Sequence, residues 1–177
     1  MRTFVALLVA ALFASPATAQ ASCQINTNSG TCSTSGTLSI TIGIGRAVHL
    51  ELSTASTSLT PPTAADFEAG FASTTGPSGV VRSNAPWSLS ISAGSATWTA
   101  SNTQTEPART NKPSTDLLWS LSAAGPFTPL TTTPVTVATG AATSGVSGTL
   151  FYRTRYDWLL DTPGTYSIQV ILTIVAP

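Results

Sequence analysis

Hydrophobic and polar residues alternate along much of the chain with a period of two. Leu38, Ile40, Ile42 and Ile44 alternate with Ser39, Thr41 and Gly43, and Val48, Leu50 and Leu52 alternate with His49 and Glu51. Both runs predict strands with one buried face. Gly45-Arg46 between them fits either a tight hairpin or a bulge in one long bent strand. Residues 53–78 break the alternation, with Pro61-Pro62 and Gly76-Pro77 as breakers. Within them, Thr63–Ala69 predicts one helical turn ended by Gly70, with Phe67 and Phe71 both directed at the core.

Strands are predicted again at Gly79–Arg82, at Pro86–Ser92 with Trp87, Leu89 and Ile91 on one face, and at Ala96–Ala100 around Trp98. Residues 101–114 are polar and contain prolines, which predicts an exposed loop carrying Glu106, Arg109 and Lys112. Asp116–Leu121 and Pro134–Thr139 read as strands, and Gly140–Gly148 as a small-residue loop. Thr149–Trp158 reads as a strand with Tyr152, Thr154, Tyr156 and Trp158 inward. Asp161-Thr162-Pro163-Gly164 reads as a turn. One long final strand is expected over residues 166–175, with Tyr166, Ile168, Val170, Leu172 and Ile174 on one side. About eight short strands with Gly, Pro and Ser punctuation and little helix predict an all-β fold. The expectation is a single antiparallel β-sandwich of Ig-like or Greek-key type.

Composition narrows the function classes. Charged residues make up 8% of the 177, against a usual share of about 25%. The chain carries 23 serines and 31 threonines, and these hydroxyls take over much of the solubilising role of charge. Seven scattered cations do not make the basic face that a nucleic-acid binder needs. Hydrophobic residues at 42% and four tryptophans argue against charge-driven disorder.

Residues 1–21 have the three-part pattern of a secretory signal peptide: Met1-Arg2, the apolar run Phe4–Ala14, and then small residues. Cleavage fits after Ala19 or after Ala21. The apolar run is too short for a membrane span, which needs about 20 residues, and no other segment is long enough. The remaining domain, residues 22–177, holds six cations and seven anions. In the oxidising compartment that a signal implies, Cys23 and Cys32 read as a disulfide closing a short turn-rich loop. A metal site fails on ligand count, because His49 is the only histidine and there is no further cysteine.

No catalytic constellation stands out. His49 lies mid-strand on the polar face, and Gly145-Val146-Ser147-Gly148 is not a nucleophile elbow. No pair of carboxylates is set apart for glycoside hydrolysis. The expectation is a non-enzyme without a cofactor. Two features remain as a candidate contact surface. Arg153, Arg155 and Asp157 form an outward charged row on one strand, serving either as a contact site or as a guard against edge aggregation. Trp119 and Trp158 offer aromatic faces of the kind that stack on sugar rings.

Asn84-Ala85-Pro86-Trp87-Ser88-Leu89 supplies a W-x-L, and Pro163-Gly164-Thr165-Tyr166 opens the last strand. On these residues the central and C-terminal segments resemble secreted bacterial surface β-sandwiches of the WxL-like and pilin-like kind. The resemblance implies a surface location and a sandwich fold. A second W-x-L, Trp119-Ser120-Leu121, does not lie in the last strand where that family has it.

The function expected from the sequence is a secreted or cell-surface, non-catalytic β-sandwich with a structural or adhesive role, self-association being one route to it. The alternative is a carbohydrate- or cell-wall-binding module. Partners are then a second copy or a cell-surface polymer, and not nucleic acid.

Overall fold

The structure, a computed structural model, describes residues 40–102 and 107–177. The predicted signal peptide, Cys23, Cys32, Leu38 and Glu106 lie outside the described residues. The sheets and their core fall within Ile44–Pro177.

The fold is all-β and sandwich-like, as the alternation predicts. The elements in chain order are β1 (Val48–Leu52), α1 (Ala64–Ala69), β2 (Phe71–Ser83), β3 (Trp87–Ala93) and β4 (Thr99–Ser101). After a single 3-10 turn at Ser114–Asp116 come β5 (Leu117–Ser120), β6 (Thr128–Pro129), β7 (Val135–Gly140), β8 (Thr143–Arg155), β9 (Thr165–Ser167) and β10 (Val170–Val175). A five-stranded sheet runs β1-β2-β8-β5-β6, a three-stranded sheet runs β10-β3-β7, and β4 pairs with β9. Every pairing is antiparallel.

The core lies between the two larger sheets. Leu117 and Trp119 from β5 and Leu150 and Tyr152 from β8 meet Ile91 and Ala93 from β3, with Trp98 and Leu130 completing the cluster. Val135, Val137, Val170 and Leu172 pack against it from β7 and β10. Alternation decides which residues these are, because successive strand side chains take opposite faces. Trp87, Leu89 and Ile91 share the inner face as predicted, and Ile91 is 1% exposed.

Several sequence expectations are corrected. Ile40, Ile42 and Ile44 are exposed and their segment belongs to no strand. There is no hairpin at Gly45-Arg46. The Asn84 side chain instead receives the Ala47 N–H and donates to the Gly45 carbonyl, both at 2.8 Å. Residues 71–78, read as irregular, are the first half of β2. The strand survives Gly76-Pro77 because these two residues form a bulge, where the register jumps from Thr75 opposite Phe151 to Ser78 opposite Thr149. A bulge is the place where a strand tolerates a proline with no N–H to donate. Glycine at 76 also leaves room for the Tyr152 ring. The small-residue stretch 143–148 is strand, held by pairing with β2 over Gly79–Ser83.

The final strand is not one strand. Residues 165–167 pair with β4, and residues 170–175 pair with β3. The chain changes partner at Ile168-Gln169. The inward and outward alternation nevertheless continues through the break, with even positions half-buried.

The helical turn forms where predicted. The Thr63 N–H donates to the Asp66 carboxylate at 2.8 Å and the Asp66 N–H returns a long bond to Thr63 Oγ1, a capping box. Gly70 ends the helix in the left-handed region at φ 76°, where a side chain costs strain. Phe67 and Phe71 do not both join the core. Phe67 stacks on Trp158 and Phe71 lies on the outer face of the large sheet, because the helix hangs from the start of β2 instead of packing between the sheets.

Candidate functional site

The segment read as an exposed polar loop holds a buried ion cluster. Lys112 is 2% exposed. Its Nζ donates to Asp161 Oδ1 at 2.9 Å, to Asp116 Oδ2 at 3.2 Å and to the Arg155 carbonyl at 2.8 Å. Arg109 Nη1 also reaches Asp161 Oδ1 at 2.9 Å and lies 3.6 Å from Asp116 Oδ2. The second Asp161 oxygen accepts the Asp157 N–H at 2.9 Å. Two cations and two anions therefore share one enclosure, with side chains between 3% and 18% exposed. Burial of charge on this scale needs such mutual pairing to offset lost hydration.

Neighbouring backbone locates the cluster. The Trp98 N–H bonds the Lys112 carbonyl at 2.8 Å, and Thr97 bridges to Pro113. These contacts hold the segment before β5 against the segment leading into β4. The Arg109 N–H bonds Tyr166 Oη at 2.9 Å, and that hydroxyl donates to the Thr162 carbonyl at 2.6 Å. Lys112 Nζ lies 5.3 Å from the Tyr156 ring centroid. Burial pushes the Tyr156 phenol above its ordinary value, and the negative charges of Asp161 and Asp66 add to this, while a bond from Thr154 opposes it.

The predicted outward row is divided among three roles. Arg153 lies between two phenylalanine rings, 4.2 Å from the centroids of Phe71 and of Phe127. It covers apolar surface on the outer sheet face. Arg155 is exposed, as predicted. Asp157 is beyond the end of β8, where its Oδ1 accepts the N–H groups of Leu159 and Leu160. It caps a turn and is not part of a strand face. The two tryptophans separate likewise. Trp119 is 7% exposed and belongs to the core, so it offers no stacking face. Trp158 is not inward: it is 57% exposed and stacks on Phe67 at 4.5 Å. Beside it, Leu159 is 91% exposed, forming an apolar tip.

An apolar groove opens between the large sheets. Its volume is about 150 Å³, and its lining includes Leu50, Val81, Trp87, Leu89, Gly148 and Leu172. Leu52, Leu121 and Val146 stand at its exposed margin, between 39% and 48% exposed. Gly79 and Gly148 are paired opposite each other across β2 and β8. A Cβ on Gly148 would meet nothing within 4 Å, so a side chain there has open space before it.

His49 is exposed on β1, opposite Arg82, which pairs with Glu51 at 2.9 Å. Among the described residues no group of three or more His, Cys, Asp or Glu is placed to hold a metal ion. Among the described residues no helix is long and apolar enough to cross a membrane.

The ion cluster was not legible locally, since 49 residues separate Lys112 from Asp161. The one sequence signal was Lys112 and Asp116 at four-residue spacing in a chain otherwise poor in charge. No known family matches the chain, and no curated protein matches it.

Proposed function

We propose that this chain is a secreted or cell-surface β-sandwich with a structural, adhesive and non-catalytic role, which assembles with copies of itself. The observation that carries this reading is the segment 40–44. Its three isoleucines, 79–84% exposed, alternate with Thr41 and Gly43 and, among the described residues, are paired to no strand. Burying each such side chain is worth about 1.5–3 kcal/mol, so three together strongly favour a partner surface. The groove between β1, β2, β8 and the facing sheet is apolar and open, and its occupant in this reading is the 40–44 segment of a neighbouring copy. An alternating strand meeting an apolar cleft beside an unpaired edge is a recurring mode of association. Low charge and hydroxyl-covered faces leave little electrostatic repulsion between copies.

The surface location rests on the signal-like residues 1–21 and on the W-x-L and Pro-Gly-Thr-Tyr segments. A second reading, a carbohydrate- or cell-wall-binding module, is favoured by Trp158, whose stacked and exposed ring is suited to a sugar face. Size-exclusion chromatography and electron microscopy of the secreted protein test the choice. Wild type is expected to form ordered multimers. Ile42→Asp and Gly148→Phe, which spoil the inserting segment and fill the groove, are expected to leave folded monomers. A wild-type monomer retained on peptidoglycan overturns assembly and supports the sugar reading.

A further inference from the structure

We propose that the buried cluster is the site of a self-formed amide cross-link between the Lys112 amine and the Asp161 carboxyl. The nucleophile and the electrophile are already in contact, with Nζ 2.9 Å from Oδ1, in an enclosure where their side chains are 3% and 6% exposed. Holding two reacting groups at this separation converts a bimolecular condensation into an intramolecular one. Exclusion of water removes the competing solvent and strengthens each charge interaction.

The other members of the cluster hold the positions the reaction needs. Asp116 Oδ2, 3.2 Å from Nζ, is placed to take a proton from the ammonium and expose the amine lone pair. The amine then attacks Cγ of Asp161. Arg109 Nη1 at one Asp161 oxygen and the Asp157 N–H at the other, both at 2.9 Å, stabilise the oxyanion that develops. Asp116 returns this proton to the departing oxygen and then relays a second one from the newly bonded nitrogen, so that the oxygen leaves as water and Asp116 ends as it began, a carboxylate.

The balance closes without any other reagent. An ammonium and a carboxylate become an amide and one water; one of the three ammonium protons stays on nitrogen and two leave with the oxygen. The remaining amide N–H still has the Arg155 carbonyl to bond, which Nζ holds at 2.8 Å before reaction. Arg109 and Asp116, 3.6 Å apart, are left as a matched pair. A neutral amide replaces two desolvated charges, and the chain between residues 112 and 161, including β5 to β8, becomes a closed ring. The inference is independent of the proposed self-assembly.

Peptide mapping of the wild-type protein tests this directly. Trypsin cuts after Arg109, Arg153 and Arg155, while Pro113 protects the bond after Lys112. The cross-link joins peptide 110–153 to peptide 156–177 in one branched species, lighter than the two together by one water. Recovery of the two peptides separately at full mass from folded protein overturns the proposal. Asp116→Ala is expected to stay folded by circular dichroism and to lose most of the branched species. An undiminished branched species in that variant refutes the role given to Asp116.

Discussion

Ile91 and Ile171 lie on opposite faces of the same three-stranded sheet, and their truncation measures what covers each face. Ile91 is 1% exposed within the core, and Ile171, opposite Ser92 on β10, is 38% exposed on the outer face. Ile91→Ala removes three buried carbons, which at about 0.8 kcal/mol each is about 2.4 kcal/mol of lost transfer energy. The cavity left among Trp119, Leu130 and Leu150 raises the loss to about 3–4 kcal/mol, inside the range seen for such truncations. At about 3 °C per kcal/mol for a domain of this size, the unfolding midpoint should fall by about 10 °C. Ile171→Ala should cost about 1 kcal/mol or less. Thermal unfolding followed by circular dichroism, at a concentration where each variant is monomeric, measures both. Equal losses would refute the assignment of inner and outer faces, because they require a covered outer sheet.

Four further outcomes are expected. Gly140→Val places a Cβ 2.8 Å from the buried Trp87 indole; overpacking of about 1–3 kcal/mol should appear in denaturant unfolding, with a changed tryptophan emission. Bonds from Thr63 hold the Asp66 carboxyl, and Arg82 the Glu51 carboxyl, below their ordinary values of 3.8 and 4.5. Their contribution to stability is present above those values and is lost as pH falls through the lower folded ones; Asp66→Asn should flatten the acid limb of a pH–stability curve. On the alkaline side, burial raises Tyr152 and Tyr156 above 10.0, so stability should decline as pH rises beyond 10.0, and Tyr156→Phe should reduce that decline. Trp158→Ala should cost about 1 kcal/mol through the lost stack on Phe67, and assembly seen by size exclusion should be unchanged.

Local alternation determined much of this protein. Period two in residues 87–93 and 165–175 assigned the all-β class and the inner set Trp87, Leu89, Ile91, Val170 and Leu172, because side-chain direction along a strand follows from backbone geometry alone. The stretch Thr63–Ala69 ended by Gly70 likewise marked a helical turn, since the capping box and left-handed end that form there involve only neighbours in sequence. Tertiary structure decided what depends on a partner strand. Gly76-Pro77 reads as a breaker, yet β8 turns it into a bulge; residues 143–148 read as a loop, yet β2 pairs them into strand. The segment at 165–175 divides between two sheets although its alternation never falters. The same holds for charge. Glu51 and Arg82 are solvent-exposed, whereas in a stretch polar enough to read as surface Lys112 is buried and Arg109 half-buried. Only the fold brings Asp161 and Asp116 close enough to compensate their lost hydration.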